Sequence, residues 1–403
     1  LRPPAQARLV VVDGNLDHCE VVDEYTVDIF TTKPTAVFLE QLRYWMIVPK
    51  SYADTSLEEL ALQPVGSGPY RFVEWEKGDH LTLERWDDYY GGPAPFEGVL
   101  FRFVPDASTR VAELLAGNAD VITKVPPDQA VEIESSGKAL LRGVNSFQDI
   151  FIQYDVSVQP LDDVRVRQAL NYGTNREEIL ATIYEGKGKL LAGVANGFWE
   201  NVNLEPYPYD PEKAKALLAD AGWEDTDGDG IVDKDGAPLS FVLTYPPAGE
   251  AILGETLVQA LKADLKEIGV DIVLEPVEVT VYNSRLREGT LGPLALATLG
   301  GFANAVGELR WIAPSGCRSP RCAEERWQSE EFEQLYEELK GTIDREERKR
   351  LVDEAQALAF DEAPWLFLFK QYNQVAVSPR LDQWEERADG LTLLIGIAPT
   401  PTE

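Results

Sequence analysis

Residues 64–90 read PVGSGPYRFVEWEKGDHLTLERWDDYY, and the interpretation of the whole chain starts from them. Pro64, Gly66, Ser67, Gly68 and Pro69 make a turn. Tyr70–Glu76 then alternates apolar with charged residues, the period of a half-buried strand, and His80–Arg85 does the same after Lys77-Gly78. Two such runs around a glycine turn predict a β-hairpin, closed here by Trp86, Tyr89 and Tyr90.

On the N-terminal side, the alternation of Val21–Thr31 predicts a strand stopped by Lys33-Pro34, and Thr35–Trp45 a short helix. On the C-terminal side, Val99–Val104 predicts a strand, Ser108–Ala116 a helix ended by Gly117, and Ala119–Thr123 another strand. Asn175 with Glu178, and Asp344 with Glu347, are capping-box-like helix starts; Asp210-Pro211 supplies an N-cap and an N1 proline. Leu257, Leu261, Leu265 and Ile268 form an apolar stripe stopped by Gly269, followed by a strand at Val270–Leu274. Trp365–Lys370 predicts a buried strand running into Gln371–Val377. Helices alternating with strands predict an α/β fold.

The 403 residues are enough for two or more domains, and no apolar run approaches the roughly 20 residues of a membrane helix. A formal charge of −32 repels nucleic acid. Catalysis has no legible constellation: the two histidines, His18 and His80, stand in no metal or triad pattern, and Gly66-Ser67-Gly68 lacks the spacing of a nucleophile elbow.

Asp225, Asp227, Asp229 and Asp233 in DTDGDGIVD match the first half of a calcium loop, but position 12 is Gly236 where a bidentate Glu is needed. Either a structural calcium ion or a polar Asp/Gly turn fits these residues; no other cofactor is expected.

Four blocks in order, residues 64–90, STRVAELLAGNADVI (108–122), PLDDVRVRQALNYGTNREEIL (160–180) and YPYDPEKAKALLADAGW (207–223), resemble bacterial solute-binding proteins of the oligopeptide, dipeptide and nickel type that serve ABC importers. The resemblance implies a two-lobed periplasmic-binding-protein-like fold joined by two crossing strands, near Phe151–Asp155 and Phe369–Asn373. Residues 1–156 with 370–403 would form one lobe and 157–369 the other. It also implies a segment before the Val21–Thr31 strand, so the sequence is expected to be a piece of a longer protein with an incomplete first lobe, or else a reduced relative. An extracytoplasmic location follows, periplasmic or lipid-anchored, and with it a disulfide between Cys317 and Cys322; Cys19 is expected buried or unpaired.

By the same resemblance the protein would be a monomeric, non-enzymatic receptor that closes on a ligand and delivers it to an ABC permease. Oligopeptide-type members pair the ligand's amino terminus with an Asp after a strand ending in a W-x-A-D-Y type sequence. The matching stretch is LGGFANAVGELRW (299–311), where Asn304 or Ala305 stands at that place and Glu308 is a substitute. An amide leaves an ammonium unneutralised, so an oligosaccharide stands beside the oligopeptide as ligand. Phe302 and Trp311, Phe151 and Tyr372 on the crossovers, and Phe198 and Trp199 are the expected aromatic contacts, each with core packing as the alternative. A surface lipoprotein that binds a protein partner is the remaining reading.

Overall fold

The computed structural model describes residues 16–42, 47–49, 57–193, 195, 199–201, 203–247, 254–300, 304–313, 327–392 and 394. In chain order the elements are β1 Leu16–Val21, β2 Val27–Thr31, α1 Phe38–Leu42, α2 Leu57–Leu62, β3 Tyr70–Glu76, β4 His80–Arg85, β5 Gly98–Arg102, α3 Ala107–Leu115, β6 Val121–Ile122, α4 Pro127–Ser136 and β7 Leu140–Tyr154. They continue with α5 Val164–Tyr172, α6 Arg176–Ile183, β8 Lys189–Leu190, α7 Pro211–Asp220, β9 Asp233–Lys234, β10 Ala237–Pro238, β11 Ser240–Tyr245, α8 Gly254–Glu267, β12 Asp271–Pro276, α9 Val279–Glu288, β13 Leu294–Gly300, α10 Ala305–Leu309, α11 Glu330–Gly341, α12 Arg345–Glu362 and β14 Trp365–Val377.

The hairpin of residues 64–90 forms as its alternation requires. β3 and β4 pair antiparallel from Tyr70–Arg85 to Glu76–His80, and β5 adds to β4. The run Val21–Thr31 differs from expectation. It breaks at a turn in which Val22 and Asp23 N–H groups donate to the Thr26 carbonyl and Asp23 accepts from Tyr25 N–H, so β1 and β2 make a second hairpin.

The chain divides into two compact units, one holding Leu39–Val144 and the residues from Tyr372 on, the other holding β1, β2 and Asn145–Gln371. The chain therefore changes unit inside β7 and inside β14. Sequence reasoning put these crossings at Phe151–Asp155 and Phe369–Asn373, and put the segment up to Phe38 with the first lobe. Its described part, residues 16–38, instead joins the second unit: Ala36 N–H donates to the Lys340 carbonyl at 3.0 Å, Arg348 donates to the Ala36 carbonyl at 2.8 Å, and Val37 is buried in its core.

In the first unit, α3 and α4 pack Val111, Leu114 and Ile133 over Ile122 of β6 and Ala376 of β14. In the second, β12, β11 and β13 are parallel, β7 is antiparallel to β13, and β14 follows β7. Side chains alternate between the faces: Ile150, Ile152 and Tyr154 of β7 join one core cluster and Phe151 the other; Leu366 and Leu368 of β14 join the first, Trp365 and Phe367 the second, and the alternation ends at Phe369, which joins the first. Both faces are thus covered, by α5–α8 on one side and α10–α12 on the other. Asp163, Asn175, Asp210 and Asp344 cap their helices by accepting backbone N–H bonds, as their sequence positions require.

Candidate functional site

The carboxyl ends of parallel strands are where open α/β sheets bind ligands. In the second unit β13 ends at Gly300, opposite Gln148 of β7. Gly300 has φ +153°, and a Cβ there would overlap the Phe147 carbonyl oxygen. Glycine lets the two strands close, and places Asp149 opposite Leu299, one position inside the edge.

Asp149 is fully buried, and its partner is Lys370 of β14, whose Nζ lies 3.2 Å from Oδ1. Burial pushes the Asp149 carboxyl up to about 7, against the attraction of Lys370. Lys370 also lies 3.4 Å from Glu200, and the other oxygen of Glu200 takes Lys189 of β8 at 2.6 Å. Helix α12 holds the turn that carries Glu200. Gln356 bonds Ala195 N–H and the Trp199 carbonyl, Asn201 donates to the Asp353 carbonyl at 3.0 Å, and the Arg348 guanidinium lies 5.0 Å from the Trp199 ring.

The residues singled out in the sequence fall as follows. Asn304 is buried and caps α10, its Oδ1 accepting from Gly307 N–H at 2.6 Å; Glu308 is buried on the same helix. Trp311 is half-buried against the second core cluster, with the Arg310 guanidinium 4.7 Å from its ring. Phe151 stacks on Trp365 at 4.0 Å and, like Trp199, is buried in that cluster. Tyr372 belongs to the first unit, its ring against Gly143. Cys19 is unpaired. Phe302, Phe198, Cys317 and Cys322 lie outside the described residues.

The acidic loop brings three of its four carboxylates together: Asp225, Asp227 and Asp229 offer oxygens within 4.8 Å of one another. Asp233 instead accepts from Thr226 N–H and Oγ1. A cleft of about 540 Å³ lies beside this loop, lined by Gln159, Asp162, Asp163, Trp223, Lys234 and Asp235. None of the expected contact residues lines it.

Sequence reasoning missed Asp149, Lys370, Glu200 and Lys189. The available signal was a lone acid in FQDIFIQY (147–154) and a lone base ending WLFLFK (365–370), charges in otherwise apolar strands.

Residues 3–317 match the profile of the bacterial extracellular solute-binding proteins, family 5. Heme-binding protein A of Haemophilus influenzae is 28% identical over 400 residues, covering 95% of this chain and 70% of its own length. The dipeptide-binding protein of Escherichia coli is 28% identical over 358 residues, covering 86% and 65%. The chain thus spans about two thirds of the length of these relatives. Among solved structures, the oligopeptide-binding protein AppA of Bacillus subtilis with a nonapeptide superposes with a TM-score of 0.79 at 23% identity, covering 96% of this chain and 79% of that one. NikA of Brucella suis with Fe(III)-EDTA gives 0.85 at 22%, with the same coverage. The α/β, periplasmic-binding-protein-like fold read from the sequence is the fold these structures share with it.

Proposed function

Because the chain belongs to the bacterial extracellular solute-binding proteins of family 5, we propose that it is the solute-binding subunit of an ABC importer and that its ligand is a peptide. The observation that carries this reading is the family match over residues 3–317, supported by relatives named for the dipeptide and oligopeptide they bind. The protein binds and releases its ligand unchanged, as a monomer outside the cytoplasm, periplasmic or lipid-anchored. Ligand contacts shift an open–closed equilibrium, and a membrane permease receives the closed form. Among the described residues no helix is long and apolar enough to cross a membrane, which accords with a separate permease.

The test is native mass spectrometry of the purified chain with a random library of tri- to pentapeptides. Complex ions at peptide masses are the expected result. Retention of an oligosaccharide series in place of peptides would substitute the sugar reading; retention of neither would leave the surface-interaction reading. We also propose a structural calcium ion on Asp225, Asp227 and Asp229, supported by their mutual proximity. It predicts a higher melting temperature in about 1 mM calcium than in EDTA, and equal values remove it.

A further inference from the structure

In sequence His80 belongs to no metal pattern, but the hairpin register surrounds it with carboxylates. Glu76 and His80 are the last pair of the β3–β4 ladder, and Glu74 stands two residues earlier on the same strand. Side chains alternate along a strand, so Glu74, Glu76 and His80 share one face of the hairpin. Asp79, at the end of the turn, completes the group. The turn is tied on both sides. Asp79 N–H donates to the Glu76 carbonyl at 3.0 Å, and the Asp79 carbonyl accepts from Phe103 N–H at 2.8 Å, just beyond β5. All four residues lie within the first unit.

The imidazole is held between two carboxylates. Nδ1 lies 2.6 Å from Asp79 Oδ2, and Nε2 lies 3.2 Å from Glu74 Oε1. Glu76, Asp79 and His80 each bring one ligand atom, all three within 4.8 Å of one another. Around an ion with bonds of about 2.0–2.2 Å, tetrahedral ligands stand roughly 3.4 Å apart. Rotation of the exposed Glu76 and Asp79 side chains closes that difference, while His80, 22% exposed, stays as the anchor. Two bases at this end of the sheet serve other groups. Lys77 lies 5.6 Å from the Trp75 ring, and Arg102, opposite His80 on β5, bonds Glu113 at 2.8 Å.

We propose that the tip of this hairpin is a zinc site, with Glu76, Asp79 and His80 Nδ1 as ligands and water in the fourth position. Glu74 accepts from Nε2–H, the carboxylate–histidine–metal arrangement that fixes the tautomer and orients the ring. The ion takes the place of the proton between Nδ1 and Asp79, which leaves to solvent. A nitrogen beside two carboxylates selects zinc over calcium and magnesium, which favour oxygen ligands alone. The loop of Asp225, Asp227 and Asp229 is the contrast, since it offers only oxygens. Zinc here joins β3, the turn and β4, so binding stabilises the folded hairpin by mass action.

The test is zinc binding to the EDTA-treated, dialysed chain, with calcium at about 1 mM to occupy the acidic loop. Native mass spectrometry counts the ions, and competition with a chromophoric chelator gives the affinity. One zinc ion per wild-type chain is expected, and calcium should not displace it. His80→Gln and Asp79→Asn should each weaken binding more than about tenfold, and Glu74→Gln about tenfold, through the ring. His18→Gln and Asp227→Asn should bind as the wild type does. In a long-range proton–nitrogen spectrum, zinc should shift the Nδ1 resonance of one histidine, the one missing from His80→Gln. Metal-free melting temperatures check that each variant folds; should His80→Gln not fold, the resonance that persists in His18→Gln identifies His80. Wild-type affinity in His80→Gln, loss of the ion in His18→Gln, or displacement of zinc by calcium each overturns the site. So does a wild type that binds no zinc.

Discussion

Gln356, in the middle of α12, donates from Nε2 to the Trp199 carbonyl at 2.9 Å while its Oε1 accepts from the Ala195 N–H at 3.3 Å. One buried side chain thus serves a donor at Ala195 and an acceptor at Trp199, two residues that belong to no strand. This is how a helix on one face of the sheet fixes the turn that delivers Glu200 to Lys370.

Replacing Gln356 by Leu keeps the volume and removes both bonds. Two buried backbone groups lose their partners at about 1–3 kcal/mol each, so urea denaturation should show a loss of roughly 2–6 kcal/mol. A loss below about 0.5 kcal/mol would assign the turn to Arg348 and Asn201 alone.

Arg176 plays the same part for α6. Its guanidinium is fully buried and donates to the carbonyls of Phe367, Asn171, Thr174 and Tyr207 and to Asn171 Oδ1. Burial lowers its pKa to about 10, which leaves it charged at neutral pH. The bonds need a planar fork of five donors, so Arg176→Lys should not rescue Arg176→Met. Both should lose more than about 3 kcal/mol in thermal or urea melts. Near-wild-type stability of the Lys variant would show that charge, and not the fork, matters here.

How much of this was legible depended on whether a feature is local. The β3–β4 hairpin, the caps at Asn175, Asp210 and Asp344, and the continuous strand at 365–377 are set by neighbouring residues, and each shows in the sequence. The turn inside Val21–Thr31 was hidden because Asp23 makes it by a side-chain bond, without glycine or proline. The charged cluster was hidden for a different reason. Its members stand at 149, 189, 200 and 370, and only sheet register brings Asp149 to Lys370. Asn304 stood where the resemblance puts a ligand contact, and the structure uses its Oδ1 as a helix cap, which a sequence pattern does not distinguish.

Gly300 provides the sharpest steric test of the carboxyl edge. Any Cβ there overlaps the Phe147 carbonyl and approaches Gln148 Cα to 2.6 Å, and the φ of +153° is one L side chains rarely adopt. Both objections are to backbone atoms, which cannot rotate away. Gly300→Ala should therefore cost more than about 3 kcal/mol and unpair the end of β13, visible as faster amide exchange at Leu299. Wild-type exchange and stability would mean that the strands separate there without cost.

The last prediction concerns pH. In the folded protein the Asp149 carboxyl is raised to about 7 from an ordinary 3.8, with burial the larger cause; Lys370 opposes the rise and Glu200 adds to it. The sign follows from proton binding. Between the two values the folded state holds a proton that the unfolded state has released, so stability is highest near the lower end and falls as pH rises toward 7. Above that the contribution is flat. Repulsion within a net charge of −32 also grows as carboxylates ionise, but ordinary carboxylates finish titrating near pH 5. Across about pH 5.5 to 7, at fixed ionic strength, His18 and His80 also titrate, their pKa values raised by hydrogen bonds to Asp17 and Asp79, and they lose stability with the same sign, so the part owed to Asp149 is the difference between the wild type and Asp149→Asn. Wild-type melting temperature should decline across that window, and Asp149→Asn, which carries no charge to lose, should flatten the decline. Equal slopes in the two proteins would assign the dependence elsewhere and would return Asp149 to an ordinary ion pair, ionised throughout.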